Sequence, residues 1–179
     1  MAISLFRQIA PSSHFQLLLI AVVCLLGGLT SGCATWQKPA VLDESPLRSR
    51  AVTQKVQDVR LSATHLSASD IQRIFGEDVN ASGMQAIWLE VENPTPDTLW
   101  LLRAGTDPDY FSPLEVAWSF HRLLAPKQNA AIDAHFEELD FENPIPAGET
   151  RAGIIFTNPH IRVRVLNVDL LAPEKLLYG

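Results

Sequence analysis

No stretch of this sequence stays apolar for long enough to cross a membrane comfortably. The longest run, LLLIAVVCLLGGL at residues 17–29, has 13 residues, where a spanning helix needs about 20. Runs of Lys and Arg are also missing. The 14 basic residues face 20 acidic ones, for a formal net charge of −6, which argues against a nucleic-acid binder because such a protein shows a basic patch. Cysteine is scarce, with only Cys24 and Cys33 in 179 residues. No internal repeat or low-complexity tract is present. What is there is a hydrophobic fraction of 47%, normal for a chain that packs one globular core.

The 13-residue run is too short to span but has the length of a secretory h-region, roughly 7–15 residues. Arg7 is the only formally charged side chain before Cys33, and Gly27 and Gly28 weaken the helix near the end of the run. Thr30, Ser31 and Gly32 then supply small residues of the kind a signal peptidase admits. The segment Leu29-Thr30-Ser31-Gly32-Cys33 resembles the lipobox of bacterial lipoproteins, an aliphatic residue and two small residues ahead of a lipid-modified Cys. It departs from that pattern in carrying Thr30, not Leu, three places before Cys33. Cys24 follows Val22-Val23 and lacks the small residues.

The resemblance implies cleavage after residue 32, lipid attachment at Cys33, and anchoring by two or three acyl chains, which hold a protein where one does not. Cleavage would remove Cys24, and the thioether would consume Cys33, so the mature chain is expected to carry no disulfide. Ala34 follows the Cys, where Asp tends to retain Gram-negative members of the class at the inner membrane. The expected location is therefore the bacterial envelope, at the periplasmic face of the outer membrane.

Downstream, residues 33–54 show no sustained period, and Pro39 and Pro46 interrupt any helix. They read as a lipidated N-terminus and linker, whose reach would be roughly 25 Å for about 20 flexible residues. Trp36 would suit the bilayer interface. Residues 55–179 read as a single β-rich domain. VQDVRLSAT alternates Val59, Leu61 and Ala63 with polar neighbours, the two-residue period of a strand. Ser67 with Asp70 forms a capping-box start, and Gly76 a stop, for a short helix bearing Ile71, Ile74 and Phe75. QAIWLEVEN puts Ile87, Leu89 and Val91 on one strand face and Trp88, Glu90 and Glu92 on the other. TLWLLRA reads as a further, more buried strand.

Ser112-Pro113-Leu114-Glu115 starts a second helix, expected to run to about Leu124 and to be buried nearly all round. A third helix over residues 130–141 aligns Ile132, Phe136 and Leu139 inward. RAGIIFTN and IRVRVLNVDLL read as an antiparallel strand pair joined at Asn158-Pro159-His160, with a bulge near Val165. The fold expected is mainly β or α+β, an antiparallel β-sandwich-like domain with two or three inserted helices. FGEDVNASGMQAIWLEVEN, DPDYFSPLEVAWSF, IPAGETRAGIIFTN and VLNVDLL are similar to the β-rich periplasmic module of LssY-type bacterial proteins. That resemblance implies a shared fold and carries over no catalytic residue.

Candidate chemistry is incomplete wherever it starts. Asp107-Pro108-Asp109 begins like a calcium loop, but Phe111, Ser112 and Trp118 stand where a ligand, the Gly and the closing Glu belong. Gly148 and Gly153 have phosphate-loop spacing, but Ile154 and Ile155 replace its Lys and Ser/Thr. His135 and Glu138 lie three apart on a helix, too few ligands for a metal site. His121 reads as a core histidine. Glu137, Glu138, Asp140 and Glu142 read as a solvated face. No Gly-x-Ser-x-Gly elbow occurs. Trp88, Trp100 and Trp118 read by default as core.

No catalytic residue, cofactor or metal ligand is therefore assigned. The expectation is a noncatalytic binding or scaffolding module, tethered to the membrane through lipid on Cys33 and facing an envelope protein partner. Its contact surface is expected at the Trp88 face or at residues 105–111. The alternatives are a small envelope hydrolase whose carboxylates and histidines meet only in three dimensions, and an accessory subunit of an envelope transport complex.

Overall fold

The computed structural model describes residues 35–106, 110–159, 166–173 and 175–178. Residues 1–32, Cys33, Asp107, Asp109 and Val165 lie outside them. In chain order the elements are α1 (Ser45–Arg48), β1 (Val52–Val56), β2 (Val59–His65), α2 (Ala68–Phe75), β3 (Gln85–Glu92), β4 (Trp100–Leu101), α3 (Arg103–Thr106), α4 (Pro113–Trp118), α5 (Pro126–Glu138), β5 (Thr150–Thr157), β6 (Asp169–Ala172) and β7 (Lys175–Tyr178). Among the described residues no helix is long and apolar enough to cross a membrane.

Strand β3 organises the whole. The four-stranded sheet runs β1-β2-β3-β5, antiparallel throughout. Ile87, Leu89 and Val91 project from one face of β3 and pack with Leu99, Leu101, Ile145 and Leu170. Those partners belong to the second sheet, ordered β4-β6-β7, and to its connections. Ala86 and Trp88 project from the opposite face into a second core with Phe75, Phe136 and Phe156. The layers are thus helices, a four-stranded sheet whose strand β3 is buried on both faces while its edge strand β1 is exposed, and a three-stranded sheet. This is the expected α+β class in a β-sandwich-like arrangement.

The Trp88 face is not a contact surface. Trp88 is fully buried, and Arg48 of α1 lies over its ring, 5.5 Å from guanidinium carbon to centroid. The same guanidinium donates through Nε (3.0 Å) and Nη2 (2.5 Å) to buried Glu90. Alternation with Glu90 and Glu92 made this face look wet. An arginine 42 residues away in sequence closes it.

The compact unit begins at Trp36, so the stretch expected as a linker belongs to the fold from there on. Trp36 is 8% exposed and Leu47 fully buried, and the Trp36 indole N–H donates to the Phe75 carbonyl at 2.9 Å. Packing and a satisfied donor together favour the buried position of this indole. Strand β1, within the same stretch, pairs with β2 through a tight turn with Gln57 at φ 56°.

Both capping boxes form, at Ser67/Asp70 and at Ser112/Glu115, and Gly76 closes α2 at φ 67°. Helix α4 ends at Trp118, short of the expected Leu124. Val116 and Ala117 are buried, while Trp118 is 58% exposed. The strand expected to pair with β5 goes elsewhere in its described part: β6 pairs with β4 and β7 in the other sheet.

Candidate functional site

The edge of β5 that faces away from β3 borders a depression with mixed chemistry. Gly153 lets the chain after α5 lie directly on that strand. A Cβ there would sit 2.5 Å from Phe141 Cα, so only glycine fits. The Ile154 N–H donates to the Leu139 carbonyl (2.7 Å), and the Phe141 N–H donates to the Ile154 carbonyl (3.3 Å). Further along, the Phe111 N–H donates to the Phe156 carbonyl at 3.1 Å. Between these two crossings is a shallow depression, open to solvent and with room for about one water, lined by Arg103, Tyr110, Phe111, Asp140, Ile155, Phe156 and Thr157.

Arg103, from α3, and Asp140, just past the end of α5, form its polar part. Arg103 Nη2 donates to Asp140 Oδ2 at 2.5 Å and to the Phe141 carbonyl at 2.7 Å. Burial pushes the Asp140 carboxyl above its ordinary pKa, and Arg103 opposes that shift without cancelling it. The desolvation penalty exceeds the attraction, as is common for half-buried pairs. The lining offers a ligand the remaining guanidinium donors, the Tyr110 hydroxyl and two aromatic faces. It contains one carboxylate, where glycoside hydrolysis uses two.

The other sequence candidates do not converge. His135 and Glu138 part company: His135 is buried on the Ile74 carbonyl, while exposed Glu138 pairs with Lys38. His121 is not in the core. It lies beyond α4, its Nε2 2.8 Å from Asp133 Oδ1 near the surface. Gly148 serves a turn at φ 74°. Of the acidic run, Glu137, Glu138 and Glu142 are exposed, but Asp140 turns inward. Trp100 and Trp118 are partly exposed and do not line the depression. Among the described residues no group of three His, Cys, Asp or Glu side chains could hold a metal ion.

No protein-family model, curated protein or solved structure matches this chain. The functional reading therefore rests on its own residues.

The sequence reading missed Arg103 and placed Asp140 on the wrong side. Their meeting, 37 residues apart, leaves no local signal. Gly153 was the nearest clue, a glycine inside a strand that marks a close backbone approach.

Proposed function

We propose that this chain is a lipid-anchored protein of the bacterial cell envelope, at the periplasmic face of the outer membrane, whose folded part binds or scaffolds a partner and catalyses nothing. The observation that carries the reading is the coincidence at Cys33 of a 13-residue apolar run, three small residues and a cysteine. A tether of this kind suits a fold that is closed and packed from Trp36 onward. The depression beside Arg103, Tyr110 and Asp140 is the contact point for the partner. Its carboxylate is engaged by an arginine, which suits recognition better than proton transfer.

Metabolic labelling with palmitate tests the anchor. The wild-type chain takes up label and fractionates with membranes, whereas Cys33→Ala does neither. Equal labelling of the two would overturn the reading. The raised Asp140 carboxyl is the one feature favouring a small hydrolase instead, and that alternative requires an envelope substrate whose turnover vanishes in Asp140→Asn.

A further inference from the structure

Leu123 and Leu124 are 92% and 91% exposed, more than any other large apolar side chain among the described residues. They occupy the tip of a tight turn in which the Ala125 N–H donates to the Arg122 carbonyl at 3.3 Å. Leu124 has φ 61°, a left-handed conformation that glycine or asparagine adopts at lower cost. The turn is nonetheless rigidly held. Asn129 accepts from the Arg122 N–H (2.9 Å) and donates to the Arg122 carbonyl (3.0 Å). The Arg122 guanidinium also donates to Glu77 at 2.9 Å. Two leucines are thus presented to the outside by a braced loop, Leu124 in a strained conformation.

The position of the turn says what covers them. With its amide oxygen turned toward the neighbouring donors, Gln128 accepts from the Trp36 N–H at 2.8 Å and also from the Arg122 guanidinium. One side chain therefore ties the start of the packed chain to the residue preceding Leu123. Only three peptide steps separate Cys33 from Trp36, a span of at most about 11 Å. The polar layer on each side of a bilayer is itself roughly 5–8 Å deep. If Cys33 carries acyl chains, this end of the fold cannot stand clear of the membrane surface.

We propose that the Leu123–Leu124 turn inserts into the bilayer that holds the Cys33 lipid, as a second membrane contact that fixes the orientation of the fold. This rests on the anchoring proposed above.

The test uses the full chain, purified with its native N-terminus and reconstituted into phosphatidylethanolamine–phosphatidylglycerol vesicles. Leu123→Cys and Leu124→Cys each carry an environment-sensitive fluorophore, Val52→Cys on β1 serves as the exposed control, and the parent chain reports any other labelled thiol. Emission at 123 and 124 should shift to the blue and be quenched at least about fivefold more by lipid-borne quencher than at 52. Intact mass of the same samples separates the two claims. Acylated protein whose 123 and 124 probes stay in water overturns the insertion alone, and unacylated protein overturns both. Shielding from an aqueous quencher without quenching from the lipid assigns the turn to a protein partner and also overturns the insertion.

Discussion

Gly153 sits where the chain crosses its own sheet, and a methyl group there would collide with the Asp140–Phe141 peptide, with Phe141 Cα, Asp140 O and Phe141 N all within 2.6 Å. Backbone cannot swing aside as a flexible side chain can. Gly153→Ala should therefore cost about 3 kcal/mol or more, at or above the upper end of overpacking effects, and also loosen the Arg103–Asp140 contact. Denaturant unfolding measures it, and a loss under 1 kcal/mol would mean that the 139–141 segment is not seated on β5.

At the same scale, His135 is 3% exposed, its Nε2–H donating to the Ile74 carbonyl at 2.7 Å. Its Nδ1 is buried without a partner. Burial lowers its pKa below the ordinary 6.5; Lys38 adds to that, while the Ile74 carbonyl and Glu138 oppose it. The unfolded chain binds this proton more readily, so the stabilisation is present above pH 6.5 and is lost as pH falls through the folded value. The melting temperature should drop between pH 7.5 and pH 5. His135→Gln, which keeps an N–H donor but cannot titrate, should shallow that drop, and an unchanged slope would contradict the assignment.

Among the elements, α2 depends most visibly on its first turn. Burial pushes the Asp70 carboxyl up, but the Ser67 hydroxyl, Arg50, the Ser67 N–H and Arg73 together hold it well below the usual carboxylate range. Ser67→Ala removes the hydroxyl that both accepts from the Asp70 N–H and donates to its carboxylate. It should cost about 1–2 kcal/mol, read as a lower denaturation midpoint with an unchanged slope. This helix was legible in sequence because everything it needs lies within ten residues: Ser67, Asp70 and Gly76, with Ile71, Ile74 and Phe75 on one face. Strand β3 and the inward face of α5 were legible for the same reason. The elements that escaped are those whose evidence is distant. Glu90 looked solvated until Arg48 reached it, β1 turned back at Gln57 without an Asn-Gly signal, and β6 left the sheet that its predecessor β5 completes.

For the whole molecule, the strand-rich class, its sandwich-like form and the helices between strands could be read from spacing, but which sheet faces the other elements cover could not. A strand buried on both faces shows as alternation when one face carries acids that are paired from afar. The point of attachment was also hidden. Pro39 and Pro46 suggested a free linker, yet Pro46 opens α1, the Trp36 indole reaches the Phe75 carbonyl and Lys38 pairs with Glu138, with Trp36 and Leu47 in the core. With acyl chains on Cys33, as proposed, a tether expected to span about 20 residues would shorten to three, and the domain would lie against the membrane surface instead of floating clear of it. On that proposal the depression at Arg103 and Asp140 and the leucine turn would take fixed directions relative to that surface.

All of this turns on the chemical state of Cys33. Intact mass spectrometry of protein purified from its native membranes reads that state directly. The account predicts a chain that begins at Cys33 and carries the added mass of two or three acyl chains. An unmodified chain, or one that still bears its first 32 residues, would contradict it.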